Sequence, residues 1–147
     1  GQNDSIADLH QKANELFPSL VMKVINKLEA HDTSFSIQDE SKSQYWHQRN
    51  DADGELDFER MTVLEVTRMI RALTSPYPGA WSKYEGKVVR IFSSEIPNII
   101  IKGVPGRICY IQRKGPYVIC KDRAILINKY EIESKTSEKL RHGKRFR

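Results

Sequence analysis

The sequence predicts an α+β protein in which helices that look like the last ones of a larger layered fold lead into a small antiparallel β-barrel or curled sheet. Apolar residues recur at helical spacing within residues 6–28 and 63–73, and from residue 87 onwards they occur in short strand-like runs. Between these regions, SPYPGA at 75–80 forces a turn. Charge changes at the same place. Residues 1–82 hold 8 Lys and Arg against 13 Asp and Glu, a net of −5, whereas residues 83–147 hold 16 against 6, a net of +10.

The first thirty residues are predicted to be helical. Asp4 or Ser5 is suited to cap a helix, and the apolar residues at 6, 9, 13, 16 and 17 share one face, as do those at 20, 21, 24, 25 and 28. Pro18 predicts a kink or a second helix starting there. Neither apolar face has a complete partner within this stretch. We therefore expect these helices to be the last ones of a larger fold.

A polar connector, residues 31–57, follows these helices. A stretch of this length without apolar periodicity is expected to connect two parts of a protein or to line a site. Tyr45 and Trp46 are the aromatic residues within it, and they are predicted to anchor the connector against the body of the protein.

The next helix is predicted from a capping box, TVLE at 62–65. Val63, Val66, Ile70 and Leu73 then lie on one face as a core stripe. The helix is expected to end before Pro76, because the residue preceding a proline is disfavoured in the α region.

Five short runs rich in β-branched and aromatic residues predict the strands of a small antiparallel barrel or a curled sheet. They lie at residues 87–92, 99–102, 107–112, 117–121 and 124–132. The chain turns polar after residue 134. The last nine residues, KLRHGKRFR, are predicted to be too basic to belong to the core.

Composition and motifs exclude several classes of function. No apolar run approaches the roughly 18 residues of a membrane helix, and no signal sequence is present, so we expect a cytoplasmic protein with no membrane partner. Cys109 and Cys120 are expected to be reduced and buried. The acidic group at 51–57 lacks the Glu that a calcium loop needs, since Thr62 stands at that position.

The residues therefore predict no metal site and no catalytic residues, because no histidine lies beside a serine or cysteine in a recognisable nucleophile motif. They indicate binding instead. A basic half of this size attracts phosphates. The alternative is a solvated surface with a basic tail.

Several ordered motifs resemble the formyltransferases that use 10-formyltetrahydrofolate, and together they cover most of residues 4–133. In chain order they are SIADL at 5–9 with Lys12, QDESK at 38–42 with Tyr45 and Arg49, DGELDF at 53–58, IRA at 70–72, PYPGAW at 76–81, GKVVRI at 86–91 and PG at 105–106. Two positions depart from the family pattern: Gln48 replaces a lysine, and Phe58 replaces a tryptophan. The resemblance implies the C-terminal portion of such an enzyme, in which helices from the end of the catalytic α/β domain are followed by a small antiparallel OB-like β-barrel.

The resemblance implies three regions: residues 1–45 as the last helices and edge of the catalytic domain, 46–81 as linker and junction helix, and 82–147 as a C-terminal β-domain with a basic tail. By this resemblance, the family's catalytic Asn, His and Asp are expected to lie upstream of Gly1. The parent enzyme is thus expected to use 10-formyltetrahydrofolate. The isolated chain is expected to hold no cofactor and to be inactive. A homodimer formed through the parent protein is a further expectation.

Two acceptors fit the resemblance. The first expectation is the amine of a nucleotide-linked amino sugar, because LRHGKRF at 140–146 is similar to the ending of sugar-type members. The alternatives are methionyl-tRNA, and a stand-alone basic barrel that binds nucleic acid without formyl chemistry. For substrate binding we predict Arg71 as a charge partner and Tyr77 and Trp81 as stacking faces. The competing interpretation is structural for all three.

Overall fold

The computed structural model describes residues 1, 3–34, 36–111, 114–134 and 138–147. It contains two α-helices, five β-strands and two single-turn 3₁₀ helices. They are α1 (Ile6–Glu29), the 3₁₀ turns Glu40–Lys42 and Asp51–Gly54, α2 (Val63–Leu73), β1 (Ala80–Tyr84), β2 (Lys87–Glu95), β3 (Ile108–Tyr110), β4 (Pro116–Ile119) and β5 (Ala124–Ile132).

The helix α1 is one continuous element of 24 residues. Ser5 is its N-cap and forms a capping box with Asp8, in agreement with the sequence. The predicted second helix at Pro18 is wrong, because Pro18 lies inside α1. No described residue of α1 is buried, and Leu16, Phe17 and the other large apolar side chains that follow them are 40–61 % exposed. The apolar face of α1 therefore has no partner within the described chain.

The connector between the two helices is almost entirely exposed at its described residues. Tyr45 is 93 % and Trp46 is 79 % exposed, so the predicted anchoring by these aromatics is wrong. The connector meets the rest of the fold further along the chain, at the 3₁₀ turn Asp51–Gly54 and at Leu56 and Phe58, which are buried in the core.

The helix α2 forms as the capping box predicts. Thr62 is its N-cap and accepts from the Glu65 amide, while the Glu65 carboxylate accepts from the Thr62 amide. Val63, Val66 and Ile70 are buried, and Leu73 packs against them while half-buried. This stripe covers one face of the sheet.

The five strands form one antiparallel sheet in the order β1–β2–β5–β4–β3. The predicted strand at 99–102 is wrong: this segment is a loop after β2, with the Ile101 carbonyl accepting from the Ala124 amide. The strand β1 was not predicted because AWSKY is short and follows the turn directly. The strand predicted at 107–112 is shorter in the structure, where β3 comprises three residues, Ile108–Tyr110. Gln112 lies outside the described residues.

The C-terminal segment (residues 140–147) closes the sheet into a barrel. Phe146 forms an antiparallel bridge with Tyr84 of β1, and Arg145 forms one with Arg107 beside β3. Leu140 and Phe146 are each 2 % exposed and belong to the main core. The prediction that this tail lies outside the core is therefore wrong. Its apolar residues point inwards although basic residues surround them in sequence.

No helix among the described residues is long and apolar enough to cross a membrane.

Candidate functional site

The polar connector is attached to the barrel at the 3₁₀ turn Asp51–Gly54. We call its last part, from residue 46 to residue 57, the linker. Arg90 donates to both carboxylate oxygens of Asp51, at 2.9 and 3.0 Å, and also to Glu133 at 2.7 Å. The hydrogen bonds from Arg90 lower the pKa of Asp51, and Asp51 in turn raises the pKa of Arg90. Both groups thus remain charged near neutral pH, and this clamp fixes where the linker enters the barrel.

Trp81 takes part in the same junction. Its Nε1 donates to the Asp51 carbonyl at 2.7 Å, and its own carbonyl accepts from the Leu56 amide at 2.6 Å. A side chain at Gly54 would meet Leu73 and Trp81 at 3.3–3.4 Å, so the indole packs directly on the linker backbone. These contacts give Trp81 a structural role, and its role in substrate stacking stays a prediction.

Tyr77 is the most exposed of the three predicted site residues, at 44 %. It lines a cavity of about 520 Å³ between the start of α1, the linker turn and the end of α2. Its hydroxyl lies 3.4 Å from Nε2 of His10 in α1. Tyr77 therefore bridges α1 and the turn while leaving part of its ring open to a ligand.

Arg71 lies in the last turn of α2 and lines a separate cavity of about 820 Å³ with Arg68 and the end of β2. The structure thus does not bring the three predicted residues to one place. Trp81 and Tyr77 belong to the linker junction, and Arg71 faces the cleft between α2 and β2.

The C-terminal segment creates a group of cations that the sequence analysis did not identify. Closure of the barrel places Arg145 opposite Arg107 and Arg147 opposite Lys83, because the Arg147 amide donates to the Lys83 carbonyl. Arg141 joins them where its amide meets the Tyr84 hydroxyl. We call these five exposed residues the basic edge. In the sequence, the only indication of this closure is that two apolar residues, Leu140 and Phe146, stand among the cations of the tail.

Some charges of the basic edge are balanced locally. Arg145 forms an ion pair with Glu59, and Arg107 donates to the Gly143 carbonyl at 2.9 Å. Lys83, Arg141 and Arg147 form no ion pair with any residue that the structure describes. Like charges directly opposite one another on neighbouring strands are destabilising. The positive charge of the basic edge is therefore only partly neutralised within the described chain.

The described residues offer little for covalent chemistry. Burial raises the pKa of the Cys109 thiol and raises that of Cys120 to about 12, so both stay protonated and unreactive. Both cysteines are free, with Cys120 buried as predicted and Cys109 only half-buried. Within the described ranges, no group of three or more His, Cys, Asp or Glu side chains is placed to hold a metal ion.

The five-stranded barrel, closed by its C-terminal segment and covered by α2, defines a small α+β domain. The chain belongs to the family described as formyl transferase, C-terminal domain, which it matches over residues 49–142. The family that the sequence motifs predicted is therefore confirmed, and so is its fold.

Curated relatives agree with this membership. The methionyl-tRNA formyltransferase of Natranaerobius thermophilus is 29 % identical over 138 residues, which cover 92 % of this chain and 44 % of the relative. The methionyl-tRNA formyltransferase of a Sulfurihydrogenibium species is 30 % identical over 118 residues, which cover 80 % of this chain and 37 % of the relative. The chain thus spans less than half the length of these relatives.

Solved structures agree as well. A variant of HypX from Aquifex aeolicus aligns with a TM-score of 0.65 at 25 % identity, over 90 % of this chain and 24 % of that one. HypX from the same organism, solved in complex with tetrahydrofolic acid, aligns with a TM-score of 0.58 at 25 % identity, over 78 % of this chain and 20 % of that one. The similarity thus extends to a protein whose structure contains a folate.

Proposed function

We propose that this chain is the C-terminal part of an enzyme that transfers a formyl group from 10-formyltetrahydrofolate to methionyl-tRNA, and that its barrel holds the RNA. The observation that carries the proposal is the basic edge, in a chain whose curated relatives named above are methionyl-tRNA formyltransferases. Phosphate contacts dominate the affinity of proteins for nucleic acid. Paired cations on adjacent strands become favourable when phosphates lie between them.

The amino-sugar acceptor has less support. It was inferred from the ending LRHGKRF, but in this structure those residues have a task that is independent of any acceptor. Leu140 and Phe146 fill the core, and Gly143 adopts a positive φ of 79° within the closing segment. The ending is thus explained by closure of the barrel, and the comparisons support the alternative acceptor better.

The donor site is proposed to lie outside this chain. In the cavity beside Tyr77, Asp51 is engaged by Arg90 and Asp53 accepts from the Asn50 amide, so both carboxylates already have partners. We therefore assign no step of the transfer to these residues, and the isolated chain is proposed to be inactive. In the parent enzyme, residues 1–45 complete the catalytic domain, with the apolar face of α1 packed on it, and residues 82–147 form the accessory domain.

The proposal is tested by fluorescence anisotropy titrations of this chain with tRNA and with a nucleotide-linked amino sugar across a salt series. We expect salt-dependent binding of tRNA. A triple variant Lys83→Ala, Arg141→Ala, Arg147→Ala should flatten the slope of log K against log salt by about 2–3. Lys23→Ala, an exposed cation on α1, is the matched control and should leave the slope unchanged.

Binding of the nucleotide-sugar without binding of tRNA would favour the amino sugar over methionyl-tRNA as the acceptor. An unchanged salt slope in the triple variant would separate RNA binding from the basic edge and overturn the proposal as stated. Formyl transfer by the isolated chain would contradict the assignment of the chemistry to upstream residues.

A further inference from the structure

Two carboxylates lie against the cations of the C-terminal segment. Glu59, which follows the linker, forms an ion pair with Arg145 of the basic edge. Glu85, in the turn between β1 and β2, forms one with Lys144, with Nζ and Oε1 2.7 Å apart. Two neighbouring cations of this segment are therefore neutralised from within the chain.

Both ion pairs lie at the surface. The side chain of Glu59 is 65 % exposed and that of Lys144 is 52 % exposed. Ion pairs with this exposure contribute little to stability. Hydrogen bonds from a guanidinium or an ammonium to a phosphate are charge-assisted and strong. Exchange of either carboxylate for a phosphate therefore costs the fold little.

Glu85 occupies a backbone conformation that does not suit a glutamate. Its φ is 47° and that of Gly86 is 79°, in a two-residue turn that connects the paired residues Tyr84 and Lys87. Turns with two positive φ angles favour Asn, Asp or Gly at the first position. A residue held in such a conformation is a reason to look for a function.

The carboxylate of Glu85 provides the function that its backbone does not explain. Its hydrogen bond with Lys144 lowers its pKa, and the charge of Arg141 lowers the pKa further. Glu85 therefore stays ionised at neutral pH and acts on two cations of the C-terminal segment. Its position in the turn places negative charge directly beside the basic edge.

We propose that Glu59 and Glu85 are intramolecular counter-ions of the basic edge, which RNA phosphates displace on binding, and that they lower the affinity of this edge for polyanions. A single phosphate gains little when it exchanges one ion pair for another. A chain of phosphates also engages Lys83 and Arg147, which have no such counter-ion among the described residues. The identity of the anion as RNA rests on the proposed function, whereas the role of the two carboxylates does not.

The first test is fluorescence anisotropy titration of the chain with tRNA and with heparin, a polyanion without bases. Glu59→Gln and Glu85→Gln should each raise the affinity for both ligands about threefold, and about tenfold together, because each removes a competing charge. Glu95→Gln is the matched control. Glu95 is an exposed carboxylate at the other end of β2 from the turn that holds Glu85, so its loss should leave both affinities unchanged.

A double-mutant cycle tests the displacement itself. In the wild type, Arg145→Ala should weaken tRNA binding only about twofold, because the phosphate contact replaces the pair with Glu59. In the Glu59→Gln background the same substitution should weaken binding about fivefold or more, because no pair is lost there. Equal effects in the two backgrounds would overturn the displacement.

A further variant separates charge from folding. Glu85→Asn should bind as tightly as Glu85→Gln but unfold at a higher temperature, because Asn suits the turn. If heparin affinity rises in the glutamine variants while no form of the chain binds tRNA, the proposed acceptor fails and the counter-ions stand. If the wild type binds tRNA and both glutamine variants bind tRNA and heparin with unchanged affinity, the inference is overturned and the proposed function stands.

Discussion

The guanidinium of Arg90 holds both carboxylate oxygens of Asp51, with Nη1–Oδ1 at 2.9 Å and Nη2–Oδ2 at 3.0 Å. This pair joins the linker to the second strand of the barrel, 39 residues away in sequence. The indole of Trp81 donates to the carbonyl of the same Asp51. The linker and the barrel therefore share one fastening point, and its loss should release the linker before it unfolds the barrel.

Arg90→Ala should lower the free energy of unfolding by about 1 kcal/mol, since the pair is partly exposed. It should also raise the rate of amide hydrogen exchange at residues 50–56, measured by mass spectrometry. Asp51 has a lowered pKa in the folded state, so its contribution is present above its unfolded pKa and is lost as the pH falls below about 4. Arg60→Ala is the control. Equal exchange in the two variants would assign the fastening to Trp81 alone.

Phe146 should be essential to the barrel although it is the penultimate residue. Its ring lies 5.2 Å from that of Phe58 and 5.7 Å from that of Tyr84, measured between centroids. Phe146→Ala should cost about 3–5 kcal/mol, as for other buried aromatic residues. Arg147→Ala should change stability by less than about 0.5 kcal/mol, because its side chain is exposed. Urea denaturation of both variants provides the measurement, and similar midpoints would refute closure by this segment.

Gly79, the glycine of the PYPGAW motif, should be more sensitive to substitution than Gly86, which has a similar backbone conformation. Gly79 has a φ of 92°, and a Cβ there would come within 2.9 Å of the Phe92 ring. Gly86 has a φ of 79° with no atom within 4 Å of that position. Gly86→Ala should cost about 1 kcal/mol from its backbone alone. Gly79→Ala should cost about 2–4 kcal/mol, because overpacking is added to this cost. Thermal melts that rank the two variants in the reverse order would contradict the packing argument.

Cys120 should make the fold sensitive to alkali. Burial raises its pKa from 9.0 to about 12, so between these values the unfolded chain loses a proton that the folded chain keeps. Stability should therefore fall as the pH rises from 9 to 12, by up to about 4 kcal/mol from this group. Denaturation curves at pH 8, 10 and 11 should show a smaller fall in Cys120→Ala than in the wild type. Parallel curves would exclude the thiol as the source.

The uncovered apolar face of α1 should make the isolated chain self-associate. Leu20 and Val24 lie on this face and are each 49 % exposed. Large exposed apolar patches mark surfaces that are covered in the assembled protein. The double variant Leu20→Glu, Val24→Glu should sediment as a monomer at concentrations where the wild type associates. Lys23→Glu, which changes charge outside the apolar stripe, is the control, and a monomeric wild type would contradict the expectation.

Local patterns in the chain were sufficient for several parts of this protein. The capping box at Thr62 and Glu65, the apolar stripe of α2 and the turn around Gly79 depend on neighbours within a few residues, so they can be inferred from the sequence. The same holds for the family, because its motifs are contiguous strings such as PYPGAW. Helical periodicity also predicted that α1 has an apolar face without a partner.

Contacts between distant residues settled the remaining features. Phe146 is buried because Tyr84 and Phe58 lie beside it, and no local pattern in a basic tail indicates this. The basic edge exists because closure of the barrel places Arg145 opposite Arg107, 38 positions away in sequence. Pairing across a barrel depends on the register between segments that are far apart in the chain. Short-range sequence patterns do not reveal this register. Arg71, Tyr77 and Trp81 are close in sequence, but distant segments of the chain surround them. Trp81 and Tyr77 therefore lie at the linker turn, and Arg71 lies at the cleft between α2 and β2.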